Sequence, residues 1–445
     1  MLLIPQPHKI KKADGIFDLS RNDLVIALVN HTDGPHFAAE KLITVLSRML
    51  GKEIPVTETD DGKPGRIILD AGSQESPSEA YKLKINRGQI HLQGESPAGL
   101  FHGVQTLLQL IAVLGASVPC CTIADRPDFG QRGFLHDVTR GKVPTLETLK
   151  LLVDKLAYYK INQLQLYVEH TFAFSHLPEL WRDKDPLTAD EIRELDAYCR
   201  RNFIELVPCL ATFGHLYELM RIQRFEHLGE LDIKASQTPH SLWDRMAHYT
   251  IDACSEEGFL LVKSMLDEYL PLFSSGRCNI CCDETFDLGK GKNHARAEAV
   301  GVGRLYIDFV KKLIGVVSGQ GKSAMLWGDI VLKHPELIGE VPAGTVFLNW
   351  DYTAGVTDAA TKTFARAKVR QYVCPGVIGW SRFANDINAA TSNIRRMVRY
   401  GGRNGAEGVL VTDWGDCGHV NMPANSFNGM VLGAALSWNA GSYRI

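Results

Sequence analysis

The sequence contains no uninterrupted apolar run near the roughly 18 residues that a membrane-spanning helix requires, and no basic run stands out. It also lacks a Gly-x-Gly-x-x-Gly after any apolar, strand-like segment. The first absence removes an obvious helical membrane span. The second, with a formal net charge of −3 at pH 7, argues against a nucleic-acid partner or a polybasic membrane anchor. The third weakens an open dinucleotide-binding sheet. Cysteine is sparse, at ten in 445 residues, and no Cys-x-x-Cys pair is followed by a second at zinc-ribbon spacing. Two pairs are vicinal, Cys120-Cys121 and Cys281-Cys282, in apolar stretches that read as strands. Buried reduced thiols are expected there, because a chain of this length does not need disulfide staples. The opening Met1-Leu2-Leu3-Ile4-Pro5-Gln6-Pro7 has no charged n-region and is broken at once by proline. It reads as lacking a secretory leader, which makes a cytoplasmic location the expectation.

What is present is a globular composition, 45% hydrophobic and 22% charged, which excludes disorder, collagen and coiled coil as the main architecture. Residues 1–125 have mixed character. Strands are expected at 24–29 and 66–70, and a helix at 37–50. Tyr81, Leu83 and Ile85, then Ile90 and Leu92, alternate with polar residues around Arg87-Gly88, as an antiparallel hairpin does. A helical pattern follows at 100–114, and Asp125-Arg126-Pro127-Asp128 reads as an exit linker from a small α+β domain.

From there to residue 445 the rhythm is strand, loop, helix, repeated. Strand candidates are 133–138, 163–168, 205–211, 278–282, 324–327, 346–350, 371–374 and 408–412. The clearest helix, 145–160, carries one apolar stripe of Leu146, Leu149, Leu152, Val153, Leu156 and Ala157. An apolar helical stretch at 427–438 follows the last strand. Eight short strands alternating with helices are the signature of a (β/α)8 TIM barrel over 126–445, with an open doubly wound sheet as the weaker alternative.

A barrel of this kind places its active site at the C-terminal strand ends. Those ends read Asp137-Val138-Thr139-Arg140, Tyr167-Val168-Glu169-His170, Thr212-Phe213-Gly214-His215, Asp283-Glu284, Trp327-Gly328-Asp329, Asn349-Trp350-Asp351-Tyr352, Gly379-Trp380-Ser381-Arg382 and Asp413-Trp414-Gly415-Asp416. A single Trp there is most often core and a single Asp most often a helix cap. Two Trp-x-Asp repeats and four tryptophans near carboxylates or arginine suit a sugar instead. Indole faces stack on pyranose C–H groups, while carboxylates and Arg hold hydroxyls. Asp283-Glu284 is the sharpest feature. A helix cap accounts for one acid but not two, and crowded carboxylates separate their pKa values, leaving one ionised and one able to donate a proton.

The segments Arg132-Gly133-Phe134-Leu135-His136-Asp137-Val138-Thr139-Arg140, Tyr159-Lys160-Ile161-Asn162, Phe213-Gly214-His215, Cys282-Asp283-Glu284 and Trp414-Gly415-Asp416 resemble glycoside hydrolase family 20, the β-N-acetylhexosaminidases. The stretch from Tyr81 to Ile111 resembles the small α+β domain that precedes the barrel in that family, so the likeness covers nearly the whole chain. It implies an exo-acting, retaining, substrate-assisted reaction in which the sugar's own acetamide oxygen attacks the anomeric carbon to form an oxazolinium intermediate. In that scheme Asp283 orients the acetamide and steadies the developing charge, and Glu284 protonates the leaving oxygen and then activates water. Arg140 and Asp416 align with hydroxyl-binding residues, and Trp327, Trp350 and Trp414 with aromatic walls. His215 aligns with a partner of the acid, while Asp137 is expected to anchor Arg140 or a strand end.

Two departures from the family pattern stand out. The Trp-His-x-x-Asp-Asp expected after strand 2 is replaced by Leu166-Tyr167-Val168-Glu169-His170, so support for the acid must be rebuilt from Glu169 or His170 with His215. The tyrosine on strand 7 that bonds the acetamide carbonyl has no clean match. Trp380 stands nearby, and Tyr352 is the candidate for that hydroxyl. The implied partner is a glycan bearing a terminal β-linked N-acetylhexosamine, without metal or organic cofactor. Competing readings are a retaining β-glycosidase using Asp329, Asp351 or Asp416 as a covalent nucleophile, and a non-catalytic sugar-binding relative.

Overall fold

The computed structural model describes residues 3–29, 33–73, 76–247 and 249–442; Met1 and Leu2 of the opening stretch lie outside them. The first layer is a seven-stranded sheet of β1 (Lys9–Asp18), β2 (Val25–Val29), β3 (Val56–Thr57), β4 (Arg66–Asp70), β5 (Tyr81–Ile85), β6 (Gln89–Gly94) and β7 (Ser117–Asp125), in the order β1-β7-β5-β6-β4-β2-β3. The period-2 stretch forms the antiparallel β5–β6 pair, with Leu83 opposite Leu92 and Ile85 opposite Ile90, all four buried. β1 escapes a periodicity search because its opening Lys9-Ile10-Lys11-Lys12 is mostly exposed on an edge strand, where lysines blunt pairing with other chains.

The Pro97–Leu114 helix begins at Ser96, whose side chain accepts from the Gly99 N–H. By length and composition alone it is long and apolar enough to cross a membrane. In the fold its residues from Gly99 to Ile111 are buried. Phe101 lies 5.1 Å from Phe203 and His102 5.2 Å from Trp438, ring centre to ring centre, so this core helix joins the sheet to the barrel.

The barrel closes through eight parallel strands, β8 (Gln131–Asp137), β9 (Gln163–Val168), β10 (Glu205–Leu210), β11 (Arg277–Asn279), β12 (Ser323–Trp327), β13 (Val346–Trp350), β14 (Arg370–Cys374) and β15 (Gly408–Asp413), with β15 pairing back to β8. Helices cover it, among them Leu146–Tyr158, capped by Thr145, and Ala189–Arg201, which carries a full capping box from Thr188 and Glu191. The seam between sheet and barrel is polar and buried. Lys160 Nζ lies 2.9 Å from the Tyr81 hydroxyl and 3.3 Å from Asp125, and 4.4 Å above the Trp438 ring. Burial lowers the Lys160 pKa to about 8 against the opposing pull of Asp125.

One strand is shorter than expected. β11 ends at Asn279, and Cys281 and Cys282 take φ of 58° and 65°, so that vicinal pair is not in a strand, whereas Cys120-Cys121 is. The chain leaves the extended conformation there to swing Asp283 and Glu284 over the barrel mouth. All ten cysteines are unpaired thiols, and Cys254 and Cys417 are the exposed ones.

Candidate active site

A cavity of about 360 Å³ opens at the C-terminal strand ends, lined by Arg140, His215, Asp283, Glu284, Asp416 and a ring of aromatic side chains. On the side of β8, β9 and β15 every charge is answered. Asp137 accepts from the backbone N–H groups of Thr139, Arg140 and Gly415, tying β8 to the loop after β15. Arg140 donates from Nε to Glu169 at 3.1 Å, from Nη1 to Asp416 at 2.9 Å and from Nη2 to the Tyr167 hydroxyl at 3.3 Å. Its guanidinium also sits 4.9 Å from the Tyr167 ring and 5.2 Å from the Trp414 ring. Burial would raise the Glu169 pKa, but Arg245 and Arg140 outweigh it and bring it to about 2. Burial also raises the Asp416 pKa, with Arg140 opposing.

The side of β10 to β12 is unsatisfied by comparison. The turn after β11 is held from several directions: Thr212 Oγ1 donates to the Ile280 carbonyl at 2.6 Å, and the Tyr306 hydroxyl to the Cys282 carbonyl at 2.8 Å. The Glu284 N–H donates to Asp329 Oδ2 at 3.2 Å. Gly214 lets the β10 loop approach, since a Cβ there would lie 2.4 Å from the Asp283 carbonyl oxygen. Such over-determined turns sustain left-handed φ at non-glycine residues, here 58° at His215 and 48° at Glu284. His215 Nε2 lies 3.2 Å from Glu284 and 3.5 Å from Asp283, neither contact aligned as a hydrogen bond. Burial and Arg140 oppose a charge on His215, but Asp283 and Glu284 prevail and raise its pKa to about 10. Asp283 Oδ1 and Asp329 Oδ1 are buried without partners.

Asp329 is pushed up to about 7 by burial and then by the charge of Asp283. The sequence suggested Asp329 only as an alternative nucleophile. It sits behind the Glu284 backbone, outside the cavity lining. Asp351, another such candidate, turns away to accept from the Thr353 N–H and hydroxyl, both at 2.8 Å. Asp416 lines the cavity but is engaged by Arg140.

Trp327, Trp350, Trp380 and Trp414 all line the cavity, together with Tyr352. Trp327 and Trp414 lie 5.7 Å apart at 56°, Trp350 stacks on Tyr352 at 5.1 Å, and Tyr352 meets Trp380 edge-on at 4.9 Å. Trp414 Nε1 donates to the Tyr352 hydroxyl at 2.7 Å. The indole N–H groups of Trp327 and Trp350 are buried without acceptors.

Two expected supports for the acid fall elsewhere. Glu169 is occupied by Arg140, Arg245 and Tyr167. His170 faces Thr139 at 3.3 Å and does not line the cavity, and burial lowers its pKa to about 4. The side chain nearest the Glu284 carboxylate from this side is His215, whose Nδ1 lies 3.4 Å from Arg140 Nη2. Sequence reasoning missed Trp243, Met246 and Phe286, which also line the cavity. They carry no motif, and Trp243 and Met246 come from a short helix, Leu242–Ala247, within the long β10–β11 connection.

Among proteins of known kind, the chain is 29% identical to a β-hexosaminidase of Vibrio furnissii over 427 residues, covering 86% of this chain and 64% of that protein. It is 23% identical to a β-hexosaminidase of Porphyromonas gingivalis over 389 residues, covering 78% and 47%. The chain thus spans between about half and two thirds of the length of these relatives. Among solved structures, it superposes on a Vibrio harveyi exo β-N-acetylglucosaminidase in complex with N-acetylglucosamine with a TM-score of 0.77 at 21% identity, covering 100% of this chain and 74% of that one. It superposes on the Bacteroides fragilis β-N-acetylhexosaminidase with a TM-score of 0.77 at 18% identity, covering 100% and 92%. Residues 1–126 match the family described as glycosyl hydrolase family 20, domain 2, and residues 129–377 its catalytic domain. With that match spanning both layers of the fold and the Asp283-Glu284 turn, the chain belongs to glycoside hydrolase family 20.

Proposed function

We propose that this protein is an exo-acting, retaining β-N-acetylhexosaminidase that removes terminal GlcNAc or GalNAc from glycans by substrate assistance. The observation that carries this reading is Asp283 Oδ1, a buried carboxylate oxygen with no partner beside a cavity walled by tryptophan. A buried unmet acceptor is costly until a ligand donor answers it, and the acetamide N–H of a sugar in the cavity is such a donor. With that N–H held, the acetamide oxygen attacks the anomeric carbon and the glycosidic bond breaks. Glu284, part-exposed at the mouth, donates its proton to the leaving oxygen. Water then attacks the oxazolinium as Glu284 takes a proton back. The Tyr352 hydroxyl bonds the acetamide oxygen, while Arg140 and Asp416 hold ring hydroxyls on the opposite side. The Vibrio harveyi neighbour's complex with N-acetylglucosamine supports the choice of sugar.

A panel of para-nitrophenyl β-glycosides of GlcNAc, GalNAc, 6-sulfo-GlcNAc, glucose and galactose tests the proposal. Turnover of N-acetylated substrates, blocked by a thiazoline mimic of the oxazolinium, is expected. Turnover of the glucoside or galactoside without thiazoline inhibition would instead indicate a protein carboxylate as nucleophile.

A further inference from the structure

Next to Asp416 along the chain, and outside the cavity lining, lies a second cluster of polar groups that the proposed reaction does not use. His136 and Asp413 are register partners at the adjoining ends of β8 and β15, and His136 Nδ1 lies 3.0 Å from Asp413 Oδ2. Ser426, at the start of the last helix, donates to Asp413 Oδ1 at 2.8 Å. The chain then coils back through φ of 56° at Cys417, 109° at Gly418 and 51° at His419, carrying the His419 ring to 5.3 Å from that of His136. His136, Asp413 and His419 are 4%, 1% and 1% exposed. Each offers a ligand atom within 4.8 Å of the other two.

Both ring nitrogens of His419 are buried without a hydrogen-bond partner. An imidazole always presents at least one N–H, and in its neutral form one lone pair as well. Leaving both unanswered in the interior calls for an occupant that the polypeptide does not supply.

We propose that His136, Asp413 and His419 form a divalent transition-metal site, filled by Zn²⁺ or an ion of similar preference, that ties the β15 loop to strand β8. Two imidazoles and one carboxylate are a donor set that such ions take, with a water completing the shell. Ser426 is the outer partner that orients the carboxylate. When the ion enters, the hydrogen bond between His136 and Asp413 is exchanged for coordinate bonds, and the His136 proton passes from Nδ1 to Nε2, so that the ring binds as a neutral imidazole. His419, on a loop, closes the remaining distance. The site is structural: it pins the segment that presents Trp414 and Asp416 to the cavity.

The test uses the full chain, stripped with a chelator and dialysed free of it, then titrated with ZnCl₂ by calorimetry and assayed for metal by plasma mass spectrometry. One equivalent per chain is expected, with a rise in Tm on loading, and Co²⁺ in its place gives visible d–d bands of nitrogen and oxygen ligation. His419→Ala loses the equivalent, the bands and the Tm rise. Glu284→Gln keeps all three, which separates this site from the grouping of His215, Asp283 and Glu284, whose ligand atoms also lie within 4.8 Å of one another. Failure of the wild-type chain to take up a stoichiometric ion overturns the proposal, as does uptake that survives His419→Ala. Should His419→Ala not fold, the wild-type Co²⁺ titration decides alone, and absence of the bands rejects the site.

Discussion

Arg140 and Asp283 both sit at the mouth of one barrel, both nearly buried, yet their surroundings differ. Around Arg140, Glu169, Asp416 and Tyr167 accept its N–H groups, and Asp137 locks the adjoining backbone. Around Asp283, a carboxylate oxygen, an Asp329 oxygen, the His215 Nε2 and two indole N–H groups have no hydrogen-bond partner. The first half is complete without a ligand. The second leaves buried donors and acceptors unmet, and the proposed acetamide would answer those that face the cavity. Pre-organised polarity of this kind is what stabilises charge that develops during reaction.

Four substitutions test that contrast. Glu284→Gln removes the proton donor in the unsatisfied half and is expected to lower kcat by roughly 10²–10⁴-fold on aryl N-acetyl-β-hexosaminides with the fold intact; a variant within a few-fold of wild type would end the assignment. Arg140→Ala strikes the satisfied half. It leaves buried carboxylates without their cation, and chemical denaturation should show a loss of about 3–5 kcal/mol, as for breaking a buried ion pair. An unchanged midpoint would mean that the satisfied half is not preformed.

Asp329→Asn probes the proton held behind the acid. The folded protein keeps a proton on Asp329 up to about pH 7, while the unfolded chain releases it near the ordinary Asp value of 3.8. The folded state therefore binds more protons across that interval, and this group costs stability as pH rises through it. The Tm of the Asn variant relative to wild type should accordingly rise between pH 5 and pH 8, by roughly 2–4 °C. A gap that stays constant with pH removes Asp329 as the titrating group. Trp243→Ala is the mildest. The side chain is 76% exposed at the cavity rim, and loss of a stacking face there should raise KM for a disaccharide by about two- to fivefold and leave kcat near wild type.

The barrel was legible because its strands are short, apolar and evenly spaced. β9 and β13 begin and end where their apolar runs do, and the Phe427–Trp438 helix matches its apolar stretch. β11 was overestimated because Ile280-Cys281-Cys282 is as apolar as a strand, while its left-handed turn depends on contacts from Thr212 and Tyr306, far away in sequence. The cavity residues at strand ends were found by position, whereas Trp243, Met246 and Phe286 arrive on connections whose path no local pattern encodes. The partners of Glu169 were hidden for a similar reason. Its sequence neighbour is a histidine, but its spatial partners are Arg140 and Arg245.

The residue order alone placed the strand ends that surround the barrel mouth, because strand periodicity and the closing of parallel strands are set by short-range geometry. That Asp329 is raised, and that His215 rather than His170 lies beside Glu284, came from the three-dimensional packing. Electrostatic work depends on separation in space and on exclusion of water, and Asp329 is raised by its burial and by the charge of Asp283, 46 residues away along the chain.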